Sequence, residues 1–156
     1  MTAVSVPSPN CDDRPDGIAV DTVVIHATVI DSLQEVIRHF GDSASKVSAH
    51  YTIDRDGTTV SHVPENRRAW HAGQSKMKDG RTHVNDFSIG IELVNRNDGV
   101  DPFPQIQIQS LRRLLTAIVS RHNIQHIIPH YECADPSGRK SDPVGYDESW
   151  VRGILR

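Results

Sequence analysis

Two histidines and an aspartate occupy positions from which an α/β protein could gather them around a metal ion. His26 ends one apolar, β-branched segment and His130 ends another, while Asp142 follows in a loop rich in Gly, Ser and Pro. Strand ends and the loops beyond them are where open α/β sheets place their sites. Two imidazoles and a carboxylate form a ligand set of catalytic zinc, which leaves one position for water. The pattern therefore favours a zinc site, although each residue alone also fits a structural role, such as a hydrogen-bonded core histidine or an Asp-Pro turn.

Glu92 is a candidate acid–base residue beside such a site, and Lys140 is a candidate for stabilising negative charge there. Glu92 lies on the segment Ser88–Val94, where alternation puts it on the face opposite the large apolar side chains. A carboxylate on a buried strand is costly unless it is paired, hydrated or protonated, and such surroundings raise its pKa toward the range useful for general acid–base catalysis. Lys140 precedes Asp142 by two residues and could meet negative charge developing on a carbonyl oxygen. The alternatives are an edge-strand glutamate and an exposed loop lysine, both facing solvent.

The elements that would position these residues follow from the hydrophobic pattern. Residues 1–20, with their Pro, Asp and Asn clusters, predict an extended arm packed on the domain, and 64–86 predict a long surface loop. A capping box at Ser32–Glu35 starts one helix, and apolar residues at helical spacing predict a longer one over 104–122. Strands are expected at 21–26, 49–54, 58–63, 88–94 and 124–130, and a closing helix near Asp147. This order predicts a single α/β domain with a central mixed β-sheet flanked by α-helices.

Length, charge and hydropathy restrict the function classes. The length of 156 residues suits one domain. The chain carries 17 Lys+Arg against 20 Asp+Glu, and this net charge of −3 gives no sign of a basic surface that would bind nucleic acid. The longest apolar runs are too short to span a bilayer, so no transmembrane segment is expected. The first residues lack a basic stretch followed by an apolar one. The lack of such a signal favours a cytoplasmic protein. The alternatives are an exported, envelope or phage-encoded protein whose leader has been removed, because its sequence would start in the same way. A monomer is expected.

Several blocks of the sequence are specific enough, as a set, to indicate a family. They are Val6–Asn10 with Arg14–Asp16, Val23–His26, Val47–Gly57, Arg68–Gly73, Asn85–Leu93 and Gly138–Pro143. Together they resemble the type-2 N-acetylmuramoyl-L-alanine amidases, which include bacterial recycling and cell-wall amidases, phage amidases and the animal peptidoglycan recognition proteins. The blocks lie in the family's order, and the resemblance implies a zinc amidase domain over residues 21–156.

The resemblance implies zinc bound by His26, His130 and Asp142. It implies Glu92 as the acid–base residue and Lys140 as the partner of the oxyanion. The implied reaction is hydrolysis of the amide between the lactyl group of N-acetylmuramic acid and L-alanine of the peptidoglycan stem peptide. The implied partner is therefore peptidoglycan or a muropeptide.

Three residues of the matching blocks, Asn85, His71 and Trp70, are expected to line the cleft, either as substrate contacts or as part of its wall, although Trp70 could instead be core. Cys133 is a rival metal ligand, because thiolates bind zinc. The main alternative function is a non-catalytic peptidoglycan- or muropeptide-binding module, against which the complete ligand set argues. A metal-free hydrolase with a Cys or Ser nucleophile is a third possibility, disfavoured because the chain has no GxSxG motif and Cys133 lacks an activating context.

Overall fold

The structure, a computed structural model, describes residues 3–155. Its strands are β1 (Val4–Ser5), β2 (Cys11–Asp13), β3 (Thr22–Ala27), β4 (Tyr51–Ile53), β5 (Thr59–Ser61), β6 (Arg67–Ala69), β7 (Ser88–Leu93) and β8 (His126–Pro129). Its α-helices are α1 (Leu33–Gly41), α2 (Gln105–Arg121) and the single turn α3 (His130–Cys133). Two 3-10 turns cover Val84–Phe87 and Glu148–Trp150. Within residues 3–155, none of the helices combines the length and the apolar character needed to cross a membrane.

Six of the strands form one mixed sheet in the order β1-β5-β4-β7-β3-β8. β4 and β5 run antiparallel, and the other neighbours in this sheet run parallel. β2 and β6 form a separate antiparallel pair. Apolar residues of α1 and α2 pack in clusters with residues of the main sheet. The predicted class, a single α/β domain with a central mixed sheet flanked by helices, is confirmed.

Alternation along β7 separates the core from the polar face of the sheet, as the sequence predicts. Ile89, Ile91 and Leu93 are fully buried in the main core, together with apolar residues of α2. Glu92 points to the other face and is the register partner of His26 on the parallel strand β3. Burial of the apolar face therefore decides which side of the sheet carries the candidate site.

Helix α1 begins as its capping box predicts. Ser32 is the N-cap, and its hydroxyl accepts a hydrogen bond from the backbone N–H of Glu35 at 3.3 Å. Val36 and Phe40 are buried one turn apart and pack in one cluster with Ala49, just before β4. These contacts hold the helix against the domain.

Residues 64–86 and the arm contain strands that the sequence did not predict. Arg67–Ala69 forms β6, which pairs with β2 of the arm, and the arm also adds β1 to the edge of the main sheet. The prediction of a long surface loop is wrong in part, because Ala72, Met77 and Val84 are buried in a second, smaller core. A three-residue strand that begins with two arginines has no apolar alternation, so the hydrophobic pattern does not reveal it.

The predicted closing helix near Asp147 is wrong as an α-helix. The Asp147 carboxylate accepts a hydrogen bond from a backbone N–H at 2.7 Å, but the turn that it caps covers only Glu148–Trp150. Gly153 then adopts a left-handed φ of 76°, which ends helical geometry. The expected strand over 124–130 is also shorter, since it covers only His126–Pro129, and His130 is the first residue of α3.

The ion cluster around Glu65 should make stability fall in acid. Its carboxylate contacts Arg121 at 2.6 Å and His122 at 2.7 Å, and accepts a hydrogen bond from Tyr51 at 2.8 Å. Burial alone would raise the pKa of Glu65, but these hydrogen bonds lower it from 4.5 to about 2. The carboxylate therefore contributes fully above pH 4.5, and this contribution of about 3 kcal/mol is lost as the pH falls toward 2.

Denaturant titrations of the wild type and of Glu65→Gln measure this contribution. We expect the difference in unfolding free energy to be largest near pH 7 and to shrink steadily below pH 4.5. Glu148→Gln, which alters an exposed glutamate, should match the wild type throughout. A deficit of Glu65→Gln that is as large at pH 2.5 as at pH 7 would contradict the linkage.

Candidate metal centre

Parallel strand pairing brings His26 and His130 together at the carboxyl ends of two neighbouring strands. His26 is the penultimate residue of β3, and His130 directly follows β8, whose Pro129 is the register partner of Ile25. Both histidine side chains are buried, and their ring centroids lie 4.3 Å apart. The sheet thus joins two imidazoles that are far apart in sequence.

Asp142 completes the cluster from the loop after α3. Its carboxylate oxygens lie 3.0 Å from Nδ1 of His130 and 3.5 Å from Nδ1 of His26. The backbone N–H of Ala27 also donates to this carboxylate, at 3.4 Å. One ligand atom from each of the three side chains lies within 4.8 Å of the other two. The three predicted metal ligands are therefore neighbours at one edge of the sheet.

The protonation states of His26 and Asp142 suit a metal ion. Burial, with the neighbouring His130, lowers the pKa of His26 to about 4, so this imidazole is neutral at pH 7. Hydrogen bonds to both histidines outweigh burial and hold the pKa of Asp142 well below its usual range, so this side chain is an anion. Unprotonated imidazole and carboxylate are the forms that bind metals. The donor set therefore fits zinc, which takes three protein ligands of these types in catalytic sites.

Cys133, the rival ligand, lies outside this group. Its thiol donates to the backbone carbonyl of His130 at 3.5 Å, and its side chain is buried in the smaller core with Val24 and Ile128. Burial raises the pKa of this thiol to about 11, so it is not a thiolate at neutral pH. The geometry favours Asp142 as the third ligand.

Glu92 lies beside the ligands, across the β3–β7 pairing from His26. Its Oε2 atom is buried and has no hydrogen-bond partner within residues 3–155. Burial and the Asp142 carboxylate raise the pKa of Glu92 well above its ordinary value, while Lys140 opposes them. A carboxyl group with a raised pKa and an unpaired oxygen can accept and release a proton, which is the work of a general acid–base residue.

A cleft of about 320 Å³ contains the cluster. Glu92, Trp70 and the exposed Lys140 line it, and its apolar wall includes Val29 and Ile30. Val29 is 61% exposed and has a left-handed φ of 62°, a conformation that β-branched residues rarely adopt. Polar groups beside apolar side chains suit a ligand that has both polar and apolar parts.

The other three predicted site residues border this cleft or a neighbouring cavity that shares lining residues with it, and each also has protein contacts. Trp70 is half-buried, and its Nε1–H donates to Asp12 at 3.1 Å, so it is not simply core. The side-chain oxygen of Asn85 accepts hydrogen bonds from the backbone N–H groups of His71 and Ala72, at 3.2 and 2.9 Å. Substrate contact by these three side chains stays a prediction.

Sequence reasoning missed the residues that surround His71. Its Nδ1 lies 2.9 Å from Nε2 of His26, and its Nε2 lies 3.0 Å from the Ser88 hydroxyl. Gly90 lies against the ring, since a Cβ added there would overlap it and lie 2.7 Å from Nδ1. One signal in the sequence could have indicated this contact. Ser88 and Gly90 are small and lie on the same strand face as Glu92, so they leave room for a side chain from another segment.

Known proteins are similar to this chain in both sequence and fold. The sequence profile described as N-acetylmuramoyl-L-alanine amidase matches residues 16–145. The 1,6-anhydro-N-acetylmuramyl-L-alanine amidase AmpD of Citrobacter freundii is 36% identical over 166 residues, which cover 94% of this chain and 86% of that protein. A crystal structure of an AmpD derivative has a TM-score of 0.86 at 32% identity, covering 99% of this chain and 94% of the other. The complex of Escherichia coli AmiD with anhydro-N-acetylmuramic acid-L-Ala-D-γ-Glu-L-Lys has a TM-score of 0.70 at 33% identity, covering 83% of this chain and 55% of the other.

Proposed function

Because the chain belongs to the N-acetylmuramoyl-L-alanine amidase family, we propose that it is a zinc-dependent amidase of muropeptides. It hydrolyses the amide between the lactyl group of N-acetylmuramic acid and L-alanine of the stem peptide. The observation that carries this proposal is the convergence of His26, His130 and Asp142 to within 4.8 Å of one another beside Glu92. The relatives support the substrate, since one is named a 1,6-anhydro-N-acetylmuramyl-L-alanine amidase and another forms a complex with an anhydro-muropeptide.

His26, His130 and Asp142 would hold the zinc. Zinc bound by such residues supplies a Lewis acid that polarises a carbonyl group and lowers the pKa of a water molecule. The three side chains are buried and contact one another through the Asp142 carboxylate, so their positions are set by the fold.

Glu92 moves the protons of the reaction. Its carboxylate accepts a proton from the attacking water as the water oxygen bonds to the carbonyl carbon. It then donates this proton to the nitrogen of L-alanine as the C–N bond breaks, leaving a carboxyl group on the lactyl moiety and a free amine on the peptide. Lys140 lines the same cleft, and its ammonium group stabilises the negative charge on the carbonyl oxygen. One well-placed donor of this kind contributes about 3–4 kcal/mol.

Mass spectrometry of digests tests the proposal. Incubation of the zinc-loaded protein with an anhydro-muropeptide should give two products whose masses sum to the substrate plus one water, one of them a peptide with amino-terminal alanine. A chelator should abolish this cleavage, and added zinc should restore it. Purified peptidoglycan is digested in parallel, so that cleavage of a single substrate identifies the one this protein prefers.

Glu92→Gln, prepared in the same way, controls for contaminating hydrolases. If the wild type binds zinc and muropeptide but cleaves neither substrate, the proposal is wrong. The chain would then be a non-catalytic muropeptide-binding module, which is the main alternative function that its sequence allows.

A further inference from the structure

His71 connects a candidate zinc ligand to the interior of the protein. The Nδ1 atom of His26 faces the Asp142 carboxylate, so the Nε2 atom of the same ring points away from the ligand cluster. His71 meets this Nε2 atom with its own Nδ1, at 2.9 Å. The Nε2 atom of His71 in turn lies 3.0 Å from the hydroxyl of Ser88, the first residue of β7. Three side chains from three segments thus form one hydrogen-bonded chain.

The proton positions along this chain follow from the geometry. If His26 offers Nδ1 to a metal, its ring proton is on Nε2 and is donated to Nδ1 of His71. His71 must then carry its own proton on Nε2, which donates to the Ser88 hydroxyl oxygen. His130 has the corresponding contact with a backbone group, because its Nε2 lies 3.1 Å from the carbonyl oxygen of Ala72. Both candidate imidazole ligands therefore have a partner for the nitrogen that faces away from Asp142.

The fold holds the His71 ring in this place from several sides. Gly90 provides the space, because a Cβ at this position of β7 would overlap the ring. Asn85 holds the backbone N–H of His71 with its side-chain oxygen at 3.2 Å. The His50 ring packs edge-on against His71, with centroids 5.9 Å apart. Both ring nitrogens of His71 are engaged within the protein, which suits a positioning role better than a hydrogen bond to substrate.

We propose that His71 is a positioning residue that fixes the tautomer and the orientation of His26 for zinc, through the hydrogen-bonded chain His26–His71–Ser88 seated on Gly90. This inference rests on the proposed function, because it requires zinc at His26. Outer partners of metal-bound histidines commonly change metal affinity by about 10–100-fold when they are removed. The expected consequence is weaker zinc binding without loss of the fold.

Zinc dissociation constants, measured by chelator competition, test the role of His71. His71→Leu keeps the volume but provides no acceptor, and it should raise the dissociation constant by about 10–100-fold. His71→Asn should recover much of the affinity, because its side-chain oxygen can stand near the position of the imidazole Nδ1. His62→Gln is the matched control, since His62 is also buried but contacts Thr52 and Val6 instead of a candidate ligand. It should bind zinc as the wild type does.

A double-mutant cycle with Gly90 separates positioning from general damage to the fold. Gly90→Ala should weaken zinc binding, because the added methyl group displaces the His71 ring. In a His71→Ala background, where no ring is present, the same substitution should have little further effect on the dissociation constant. Equal losses of zinc affinity in both backgrounds would contradict the proposed contact between Gly90 and the His71 ring. Unaltered zinc affinity in His71→Leu would overturn the positioning role.

The outcome for the wild type distinguishes the two proposals. Tight zinc binding that His71→Leu leaves unchanged overturns this inference and leaves the proposed amidase function standing. A wild-type protein that binds no zinc overturns both. Melting of each variant in the metal-free state checks that the change lies in zinc binding and not in folding.

Discussion

Replacing Glu92 with glutamine should lower the rate of amide hydrolysis by about 100- to 10,000-fold while zinc stays bound. The substitution keeps the shape of the side chain but removes its ability to accept a proton. Glu92 is not one of the three clustered ligands, so the metal content should match that of the wild type. Rates of product formation and metal analysis on the same samples measure both quantities.

The same substitution should leave the fold intact or slightly more stable. Within the described residues 3–155, the buried Oε2 atom of Glu92 has no hydrogen-bond partner, and burial raises the pKa of this carboxyl, so the charged form is unfavourable where it lies. Glutamine at this position carries no charge to bury. Glu35→Gln, which alters an exposed glutamate of α1, should retain wild-type activity and serves as the control. Turnover near the wild-type rate in Glu92→Gln would exclude this residue as the acid–base group.

Substituting a candidate zinc ligand should abolish metal binding and activity together. His26→Ala removes one of three side chains that converge at the end of β3, so we expect its affinity for zinc to fall by more than the 10–100-fold that loss of an outer partner costs. Zinc at 1,000 times its dissociation constant stabilises a folded protein by about 4 kcal/mol. This stabilisation should be present in the wild type and largely lost in His26→Ala, as measured by denaturant unfolding with and without zinc.

Cys133→Ala is the control that distinguishes the two possible ligand sets. Cys133 is buried outside the cluster, so its removal should cost some stability but leave zinc binding intact. Asp142→Asn should instead lose zinc, because it replaces the carboxylate that contacts both histidines. The reverse result, with zinc lost in Cys133→Ala and kept in Asp142→Asn, would refute the proposed ligand set.

The sequence by itself determined those features whose pattern is local. The capping box of α1, the alternation of β7 and the apolar period of α2 each predicted an element that the structure contains. Such patterns record which side of one element is buried, and burial of apolar surface is the dominant favourable term in folding. The resemblance of the sequence blocks to the amidase family is also confirmed, since the family profile matches residues 16–145.

Only the tertiary structure decided which distant side chains touch. Sequence position suggested His26, His130 and Asp142 as ligands, but the parallel register of β3 and β8 is what joins the two histidines. The β2–β6 pair and the contact between His26 and His71, which are 45 residues apart, have no counterpart in any periodic pattern. Such contacts form between segments that are each held by other neighbours, so their geometry depends on how the whole chain packs. The need for glycine at position 90 of β7 is explained only by the tertiary structure, in which the His71 ring occupies the space that a side chain would take.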